Sequence, residues 1–375
     1  MSQKSICHIS TVHSVNDSRI FYKECQTLVK NNFEVNLVIN AERSGLMEGV
    51  NVIALPPAKN RISRVFFLSF KAFFKAWKTH ASIYHFHDPE LIFIGFLFKI
   101  LGKKVIYDVH EDLREDILLK RWLGGRFITK FFSHASSFAE KLADYFFDAI
   151  VAATPKISAH FSPRKTITLR NFVMLSNFSK AKVNENKKIS KNHKKILIYI
   201  GSLAEIRGIK EIICSMAEVD IETELWLIGR WENEQFRREC EALPEFKRVK
   251  YVGYINHNKI PSYLRLADVG LVTLHPTTTF IESYPIKVFE YMSSALPVIM
   301  SDFLLWKELF KDAAIFVDPL NVKDIANKIQ YILSQDEIRK NIALKGENLV
   351  LTKYNWEMES KKLIHLYDLL LKSSD

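Results

Sequence analysis

Residues 282–302 have the sequence ESYPIKVFEYMSSALPVIMSD, which carries the strongest structural signal in the chain. Pro285 suits the first turn of a helix, where its missing N–H costs nothing. Pro297 ends that helix, and the apolar residues after it predict a short strand. The stretch therefore predicts a loop, a helix and a strand in succession.

The charged side chains of this stretch are suited to bind a nucleoside diphosphate. Glu282 falls in the loop, whereas Lys287 and Glu290 are three residues apart and share one helix face. A helix N-terminus with a lysine in its first turn offers free N–H groups and a positive dipole to a diphosphate. A carboxylate one turn further along can accept hydrogen bonds from ribose hydroxyls. Two glutamates alone would indicate only surface charge, but the proline, the lysine and the loop–helix–strand context favour binding.

Strands and helices alternate on both sides of a lysine-rich break in the pattern. Residues 179–195 contain seven lysines and three asparagines with few apolar residues, which predicts an exposed linker. The alternation before and after this linker is typical of parallel sheets wound on both faces. We therefore predict an α/β protein of two Rossmann-like domains, 1–178 and 196–354, followed by a helix at 355–375 that packs back toward the first domain. Ligands of such sheets bind at the carboxyl ends of the strands, which predicts an interdomain cleft.

Composition excludes several other classes of protein. The 375 residues are 48% hydrophobic and 25% charged, which are globular values. Four scattered cysteines without a CxxC pair encode neither a disulfide framework nor a zinc cluster. No apolar run is long enough for a membrane span and no secretory signal is evident, so we expect a soluble, cytoplasmic protein. GxGxxG and GxxxxGK[ST] are both absent, which disfavours dinucleotide-binding dehydrogenases and P-loop enzymes.

The resemblance to a known family begins in the stretch quoted first. Glu282 and Glu290, with residues 295–299 (ALPVI), resemble the E-x7-E motif and following strand of the retaining glycosyltransferases of family 4, which have the GT-B fold. Residues 198–203 (IYIGSL), with Arg207 and Gly208 beyond, are similar to the strand and loop that open the family's nucleotide-binding domain. Residues 106–111 (IYDVHE) are similar to the strand whose histidine lies near the donor sugar. Residues 354–356 resemble the start of the family's last helix.

The resemblance implies that the second domain binds a nucleotide-sugar donor. Arg207 and Lys287 would hold the diphosphate next to Gly201 and Ser202, Glu290 the ribose, and Glu282 the sugar hydroxyls. Two preorganised cations can stabilise the charge that builds on the leaving diphosphate, so neither a metal ion nor another cofactor is expected.

The reaction that the resemblance implies retains the anomeric configuration through same-face attack, in which the leaving phosphate takes the acceptor proton. His110 would contact both the donor sugar and the acceptor hydroxyl. Ser202 stands where family members often have arginine, and the family's glycine pair after the first strand is absent. One phosphate contact is therefore missing or supplied elsewhere.

Two segments of the first half are candidates for acceptor binding. Asp17 and Arg19 follow the first strand and would lie at the edge of the cleft, although residues 16–18 also suit a helix cap. In the sequence HFHD at 85–88, alternation sends His85 and His87 to one side of a strand. His87 or Asp88 would line the acceptor site, and packing or loop hydrogen bonding is an equal alternative. No further ligands accompany the two histidines, so a metal ion is not expected here.

Positive charge is concentrated in the first half of the chain. Residues 1–170 carry 24 Lys and Arg against 15 Asp and Glu, out of a net charge of +11 for the whole chain. Residues 61–79 (RISRVFFLSFKAFFKAWKT) form a predicted helix with one cationic and one aromatic face. We expect the aromatic face to lie in the core, and the cations to face either water or an anionic membrane. Residues 120–122 and 126–130 would extend that surface.

These patterns together predict a metal-independent retaining glycosyltransferase that uses a nucleotide sugar, with a UDP-sugar as the default. The acceptor would be a glycan or lipid-linked glycan of bacterial surface polysaccharide, such as lipopolysaccharide, O-antigen or capsule. The enzyme would be cytoplasmic, with peripheral membrane contact through its basic first domain. A nucleotide-sugar epimerase of the same fold and a basic nucleic-acid-binding protein are the alternatives. No RNP, zinc-finger or helix-turn-helix signal supports nucleic-acid binding.

Overall fold

A computed structural model describes residues 4–58, 60, 63–111, 113, 126–179 and 194–372. The chain divides into two compact units: the first comprises Met1–Asn171 and Trp356–Asp375, and the second Phe172–Asn355. The helix Trp356–Lys372 thus belongs to the first unit. The predicted linker at 179–195 lies almost wholly outside the described residues.

The described residues of the first unit form a sheet of eight strands. In chain order these are β1 Ser5–Ser14, β2 Glu34–Asn40, β3 Gly45–Met47, β4 Val50–Leu55, β5 Ile83–Phe86, β6 Lys104–Val109, β7 Ala149–Ala152 and β8 Thr166–Thr168. Their order across the sheet is β3-β4-β2-β1-β5-β6-β7-β8. Neighbouring strands are parallel except β3, which pairs antiparallel with β4 and which the alternation pattern did not predict. Its three residues are exposed, so no buried face marks it in the sequence.

Helical segments connect the strands of the first unit. They are the π-helical Ser18–Cys25, Gln26–Lys30, the π-helical Arg64–Leu68, Ser69–Trp77, the 3₁₀ turn Pro89–Leu91, Ile92–Ile100, Arg126–Phe146, Pro155–Ser158 and Trp356–Lys372. Strand β1 lies inside the sheet, with β2 on one side and β5 on the other. The carboxyl ends of β1 and β5 therefore form the point of reversal where ligands of open α/β sheets bind.

The second unit has a sheet of six described strands, all parallel to their neighbours. They are β9 Lys195–Ile200, β10 Thr223–Ile228, β11 Val249–Gly253, β12 Val269–Val272, β13 Val298–Ser301 and β14 Ile315–Val317, in the order β11-β10-β9-β12-β13-β14. Side chains of β9 alternate between two hydrophobic clusters, with Ile198 in one and Leu197 and Tyr199 in the other. A sheet buried on both faces is the predicted doubly wound arrangement. Its point of reversal lies between β9 and β12.

Helices cover both faces of this second sheet. They are Leu175–Ser179, Ile209–Ser215, Glu234–Glu241, Ile260–Leu264, Thr278–Ile281, Ile286–Met292, Leu304–Phe310, Val322–Ser334 and Asp336–Thr352, with 3₁₀ turns at Glu205–Arg207, Met216–Glu218, Pro244–Arg248, His257–Lys259 and Lys311–Ala313. Pro285 precedes the helix Ile286–Met292 instead of lying in its first turn. The predicted fold class of two Rossmann-like α/β domains is confirmed.

The helix predicted at 61–79 is present over 64–77, but its orientation differs from the prediction. Leu68, Ala72 and Ala76 are buried, at i, i+4 and i+8, and form the side that faces the core. Phe66, Phe67, Phe70 and Phe74 are exposed by 59%, 74%, 45% and 61%. The prediction that the aromatic face is buried is therefore wrong for Phe66, Phe70 and Phe74, whereas Phe73 and Trp77 of the predicted face are partly buried against the core. Small alanines let the helix approach the sheet closely, which leaves the larger rings outside.

Candidate functional site

The loop that follows β9 brings a lysine against a glycine. Gly201 has φ +150°, and a Cβ atom there would lie 2.3 Å from Cε and 2.9 Å from Nζ of Lys287. The Lys287 side chain thus occupies space that only a glycine leaves open. The Tyr199 hydroxyl donates a hydrogen bond of 3.0 Å to the carbonyl oxygen of Ser202, which holds the loop against the end of the strand. The backbone of Gly201, which has no side chain, therefore lies next to the ammonium group of Lys287 at the carboxyl end of β9.

Arg207 lies near this lysine. Its guanidinium stacks 4.8 Å from the centre of the Phe280 ring. Burial raises the pKa of Tyr199 to about 12, opposed by the charge and hydrogen bond of Arg207. Burial also lowers the pKa of Lys287, with Glu290 acting against that shift and Arg207 adding to it. Two cations on separate elements thus share one region, which is the arrangement that a diphosphate requires.

The two glutamates of the motif lie in different surroundings. Glu290 is 8% exposed on the helix Ile286–Met292, and its Oε1 lies 3.9 Å from Nε2 of His257. Glu282 is exposed at the end of the helix Thr278–Ile281. Glu290, Lys287 and Arg207 are therefore brought together, whereas Glu282 lies on the exposed loop before them.

Sequence reasoning missed residues at the end of the neighbouring strand β12. Gly208 has φ +71°, and a Cβ atom there would lie 2.0 Å from the carbonyl oxygen of Thr273. The loop of Arg207 is therefore packed against the end of β12, at the point of reversal of the sheet. His275 follows, with its Nε2 3.2 Å from Oε2 of Glu211. Gly208 is the one feature of this contact that the sequence shows, but Thr273, which it packs against, is 65 residues away in the chain.

In the first unit, the predicted acceptor residues Asp17 and Arg19 have other partners. Asp17 caps the helical segment by accepting hydrogen bonds of 2.8 Å from the backbone N–H groups of Arg19 and Ile20. Its Oδ2 lies 2.9 Å from Nδ1 of His13. The cap alternative for Asp17 agrees with this geometry, and direct contact with an acceptor remains a prediction.

Arg19 is 5% exposed, so its predicted place at the edge of a binding surface is wrong. It donates from Nε and Nη2 to the two carboxylate oxygens of Asp108, at 3.1 Å and 2.9 Å, and from Nη1 to the carbonyl oxygen of Leu169 at 2.9 Å. These three hydrogen bonds indicate a structural role for Arg19, because its charge is paired with a carboxylate inside the unit.

His87 is likewise buried, with no exposed side-chain surface, so it does not line an open surface as predicted. Its Nδ1 lies 3.1 Å from Oδ2 of Asp108. Nε2 of His110 lies 3.0 Å from the same oxygen, and the His110 side chain is 18% exposed. Burial acts to raise the pKa of Asp108, but Arg19 and the two imidazoles lower it well below its usual range. A charged Asp108 thus orients His110, whose contact with donor and acceptor remains a prediction.

Asp88 forms the support beneath the loop after β1. Its Oδ2 accepts hydrogen bonds from Ser10 Oγ at 3.0 Å and from the backbone N–H groups of Thr11 and Val12 at 2.6 Å and 3.2 Å. The side chain is buried, so the alternative of loop hydrogen bonding describes it better than acceptor contact.

Within the described residues, every helix is too short or too polar to cross a bilayer. The cationic segments at 120–122 and at 126–130 lie outside the described side chains, apart from Lys130, which is exposed.

The model of the family described as glycosyl transferases group 1 matches residues 181–349 of this chain. O-antigen chain mannosyltransferase B of Escherichia coli is 27% identical over 180 residues, which are 46% of this chain and 45% of that protein. The chain spans about half the length of the curated relatives it matches.

Solved structures resemble nearly the whole chain. Sucrose-phosphate synthase from Thermosynechococcus elongatus has a TM-score of 0.73 at 18% identity, over 98% of this chain and 99% of its own. Anabaena Alr3699/HepE in complex with UDP has a TM-score of 0.73 at 13% identity, over 96% of this chain and 98% of its own. At these identities the likeness establishes the GT-B fold alone.

Proposed function

Because residues 181–349 match the model of the glycosyl transferases group 1 family, we propose that this protein is a retaining glycosyltransferase that uses a nucleotide-diphosphate sugar, with UDP as the carrier. The acceptor is a glycan or lipid-linked glycan of a bacterial-type surface polysaccharide. The observation that carries the proposal is the position of Lys287 over Gly201, beside Arg207, at the carboxyl end of β9. The O-antigen mannosyltransferase among the relatives supports the acceptor class.

The two cations supply the catalytic electrostatics. As the bond between the anomeric carbon and the β-phosphate breaks, negative charge builds on the phosphate oxygens. Lys287 and Arg207 stabilise that charge from fixed positions, so little reorganisation is needed as the reaction proceeds. Burial of the Lys287 side chain strengthens its interaction with an anion, because less water screens the charge.

The remaining groups have positioning roles. Glu290 accepts hydrogen bonds from the ribose hydroxyls, and Glu282 contacts the donor sugar from its exposed loop. Ser202 offers its backbone N–H group to the diphosphate. Gly201, whose own N–H donates to the carbonyl oxygen of Ile228 at 2.8 Å, leaves the space that Lys287 occupies. The leaving phosphate takes the proton of the acceptor hydroxyl as that hydroxyl attacks the same face, so the anomeric configuration is retained. Two cations perform the role that a divalent metal has in other transferases, so the rate does not depend on added Mg²⁺ or Mn²⁺.

The first unit supplies a surface for peripheral contact with a membrane. Four exposed phenylalanines and the exposed Lys71 and Lys78 lie on the segment 64–78. Aromatic rings enter the interfacial region of a bilayer while lysines pair with anionic headgroups. This contact would keep the enzyme near a lipid-linked acceptor.

Thermal unfolding of the purified chain with UDP, GDP, ADP, TDP and CMP tests the donor site. A ligand that binds only the folded state raises Tm. UDP is expected to raise Tm, and Lys287→Ala, Arg207→Ala and Glu290→Ala each to reduce that rise. Lys340→Ala is the matched control, because this exposed lysine pairs with Glu337 on the surface of the same unit. If no nucleotide raises Tm, or if the three variants respond as the control does, the proposed donor site is wrong.

Product analysis tests the reaction itself. The donors tested are sugars linked to the nucleotide that raises Tm. We expect the enzyme to transfer the sugar to a lipid-linked glycan, and NMR of the product should show the same anomeric configuration as in the donor. An epimerised nucleotide sugar without transfer would instead identify the epimerase. A product with the inverted anomeric configuration would contradict the proposed retaining mechanism.

A further inference from the structure

Four potential metal ligands meet inside the first unit, whereas the residues of the proposed diphosphate site belong to the second. His8, Glu24, His85 and His87 have no exposed side-chain surface. They come from β1, the π-helical segment, β5 and the residue after β5, and one donor atom of each lies within 4.8 Å of the others. We propose that these four side chains bind one divalent transition-metal ion of the Zn²⁺ type.

The separations between donor atoms are close to those of a tetrahedral site. Nδ1 of His8 and Nε2 of His87 are 2.9 Å apart, and each lies 3.9 Å from Oε2 of Glu24. Ligand bonds of about 2.0–2.1 Å in a tetrahedron place neighbouring donor atoms about 3.3 Å apart. Shifts of under ~1 Å would therefore bring these three atoms to coordination distance, and the donor atom of His85, within 4.8 Å of them, completes the set.

In each of the three imidazoles, the nitrogen that points away from the proposed ion is hydrogen-bonded to an oxygen atom. Tyr367, on the helix Trp356–Lys372, has its hydroxyl 3.1 Å from Nε2 of His8 and 2.6 Å from Nδ1 of His85. Nδ1 of His87 lies 3.1 Å from Oδ2 of Asp108, which as a carboxylate can only accept. His87 therefore carries its proton on Nδ1 and has a lone pair on Nε2, toward the proposed ion. Metal-binding histidines are held in this way by a second layer of oxygen acceptors.

Three atoms on two side chains of the cluster lack the hydrogen-bond partners that burial demands. Within the described part of the chain, neither oxygen of Glu24 accepts a hydrogen bond, and Nε2 of His85 has no partner. Arg19 Nε lies 3.0 Å from Oε1 of Glu24, but its one proton is donated to Asp108. Buried polar atoms are rarely left without partners. A metal ion would satisfy both groups at once.

Charge leads to the same assignment. Inside the cluster one guanidinium, that of Arg19, faces two carboxyl groups, those of Asp108 and Glu24. Asp108 takes the bidentate pair, so Glu24 is left as the second buried carboxyl group. A buried carboxyl group needs a paired charge, a proton or a metal, and a metal ion would take the place of the proton on Glu24. Three nitrogen donors and one carboxylate oxygen suit Zn²⁺ better than Mg²⁺ or Ca²⁺, which prefer oxygen ligands.

The site as built is structural. Four protein ligands fill a tetrahedral shell and leave no position for substrate. The ion would join β1, β5 and the π-helical segment, with Tyr367 connecting the last helix to the same centre. Sequence analysis disfavoured a metal at His85 and His87 because no further ligands were evident, and His8 and Glu24 are such ligands, 77 and 61 residues earlier than His85.

Metal content and Tm of the full chain test the proposal. The protein is unfolded with a chelator, desalted, refolded with one of no metal, Zn²⁺ or Co²⁺, and desalted again. After desalting, we expect about one bound equivalent by mass spectrometry of the metal. In a separate sample with free Zn²⁺ kept 1,000-fold above its Kd, Tm should be higher by roughly 10 °C. Bound Co²⁺ should give the visible absorption of a tetrahedral nitrogen–oxygen site. Less than about 0.1 equivalent with unchanged Tm would overturn the proposal.

Variants distinguish this site from adventitious binding. Glu24→Gln and His85→Gln keep side-chain size and are expected to lose the bound equivalent, whereas Tyr367→Phe should weaken binding about 10–100-fold. His365→Gln is the control, because His365 is exposed on the same helix as Tyr367. One equivalent retained in both ligand variants would overturn the assignment. Should the variants fail to fold, the Co²⁺ spectrum of the unaltered chain decides. UDP-induced stabilisation is measured separately, so failure here is independent of the donor site.

Discussion

Lys287 and Gly201 are 86 residues apart in the chain, yet the lysine's Cε occupies a point 2.3 Å from where a Cβ atom of residue 201 would be. The contact joins the loop after β9 to the first turn of the helix Ile286–Met292. Neither residue can be exchanged without disturbing the other. The candidate diphosphate site therefore depends on a glycine for space as much as on a lysine for charge.

Gly201→Ala is expected to destabilise the second unit and weaken UDP binding. The φ of +150° is costly for alanine, by about 1–3 kcal/mol, and the new methyl group would displace Lys287. Urea unfolding and calorimetric titration with UDP measure the two effects. Gly45→Ala is the control, because a Cβ atom there meets nothing within 4 Å. Equal UDP affinity in Gly201→Ala and the unaltered chain would contradict the geometry.

UDP affinity is expected to fall as pH rises toward 10. Burial lowers the pKa of Lys287, so the ammonium loses its proton at a lower pH than an exposed lysine and the diphosphate loses a cation. The affinity falls as pH rises because only the charged ammonium group attracts the diphosphate. Calorimetric Kd values from pH 7 to 10 measure the effect, and Lys287→Arg should flatten the profile because arginine stays protonated. If the UDP affinity of Lys287→Arg falls with pH as it does in the unaltered chain, a group other than Lys287 causes the fall.

Arg19→Met is expected to reduce the free energy of unfolding by about 3–5 kcal/mol, because it leaves the buried Asp108 without its bidentate partner. Chemical denaturation measures this cost. Arg64→Met is a matched control, since Arg64 pairs with Glu90 but is 27% exposed and should cost about 0–1 kcal/mol. Adding Asp108→Asn to Arg19→Met should recover part of the loss. A stable Arg19→Met protein with a higher KM for acceptor would instead restore the binding role.

Binding to vesicles of anionic lipid is expected to require the phenylalanines of the segment 64–78. Serine at positions 66, 67, 70 and 74 removes exposed apolar surface without opening the core, since the buried side is formed by Leu68, Ala72 and Ala76. Co-sedimentation should fall at least tenfold, and glutamate at Lys71 and Lys78 should abolish the preference for anionic over neutral lipid. Leu344→Ser, at an exposed leucine of the second unit, is the control. Unchanged binding in the serine variant would exclude this surface.

The arrangement of strands was predictable because it rests on local alternation. The runs that form β5, β9 and β12 are apolar and short, and each is followed by a change to glycine or polar residues. The stretch 282–302 likewise predicted its loop, helix and strand, with Pro285 one position outside the helix. The exposed strand β3 escaped prediction because no buried face leaves a pattern in its residues.

The sequence by itself determined the two doubly wound α/β units and the motif that carries Lys287 and Glu290, because both depend on neighbours within a few residues. Only the tertiary structure decided which charged groups are buried. Arg19 faces Asp108 across 89 residues, and His8 meets His87 across 79. Those pairings arise where parallel strands end side by side at the reversal of the sheet, and periodicity along the chain carries no record of which side chains meet there.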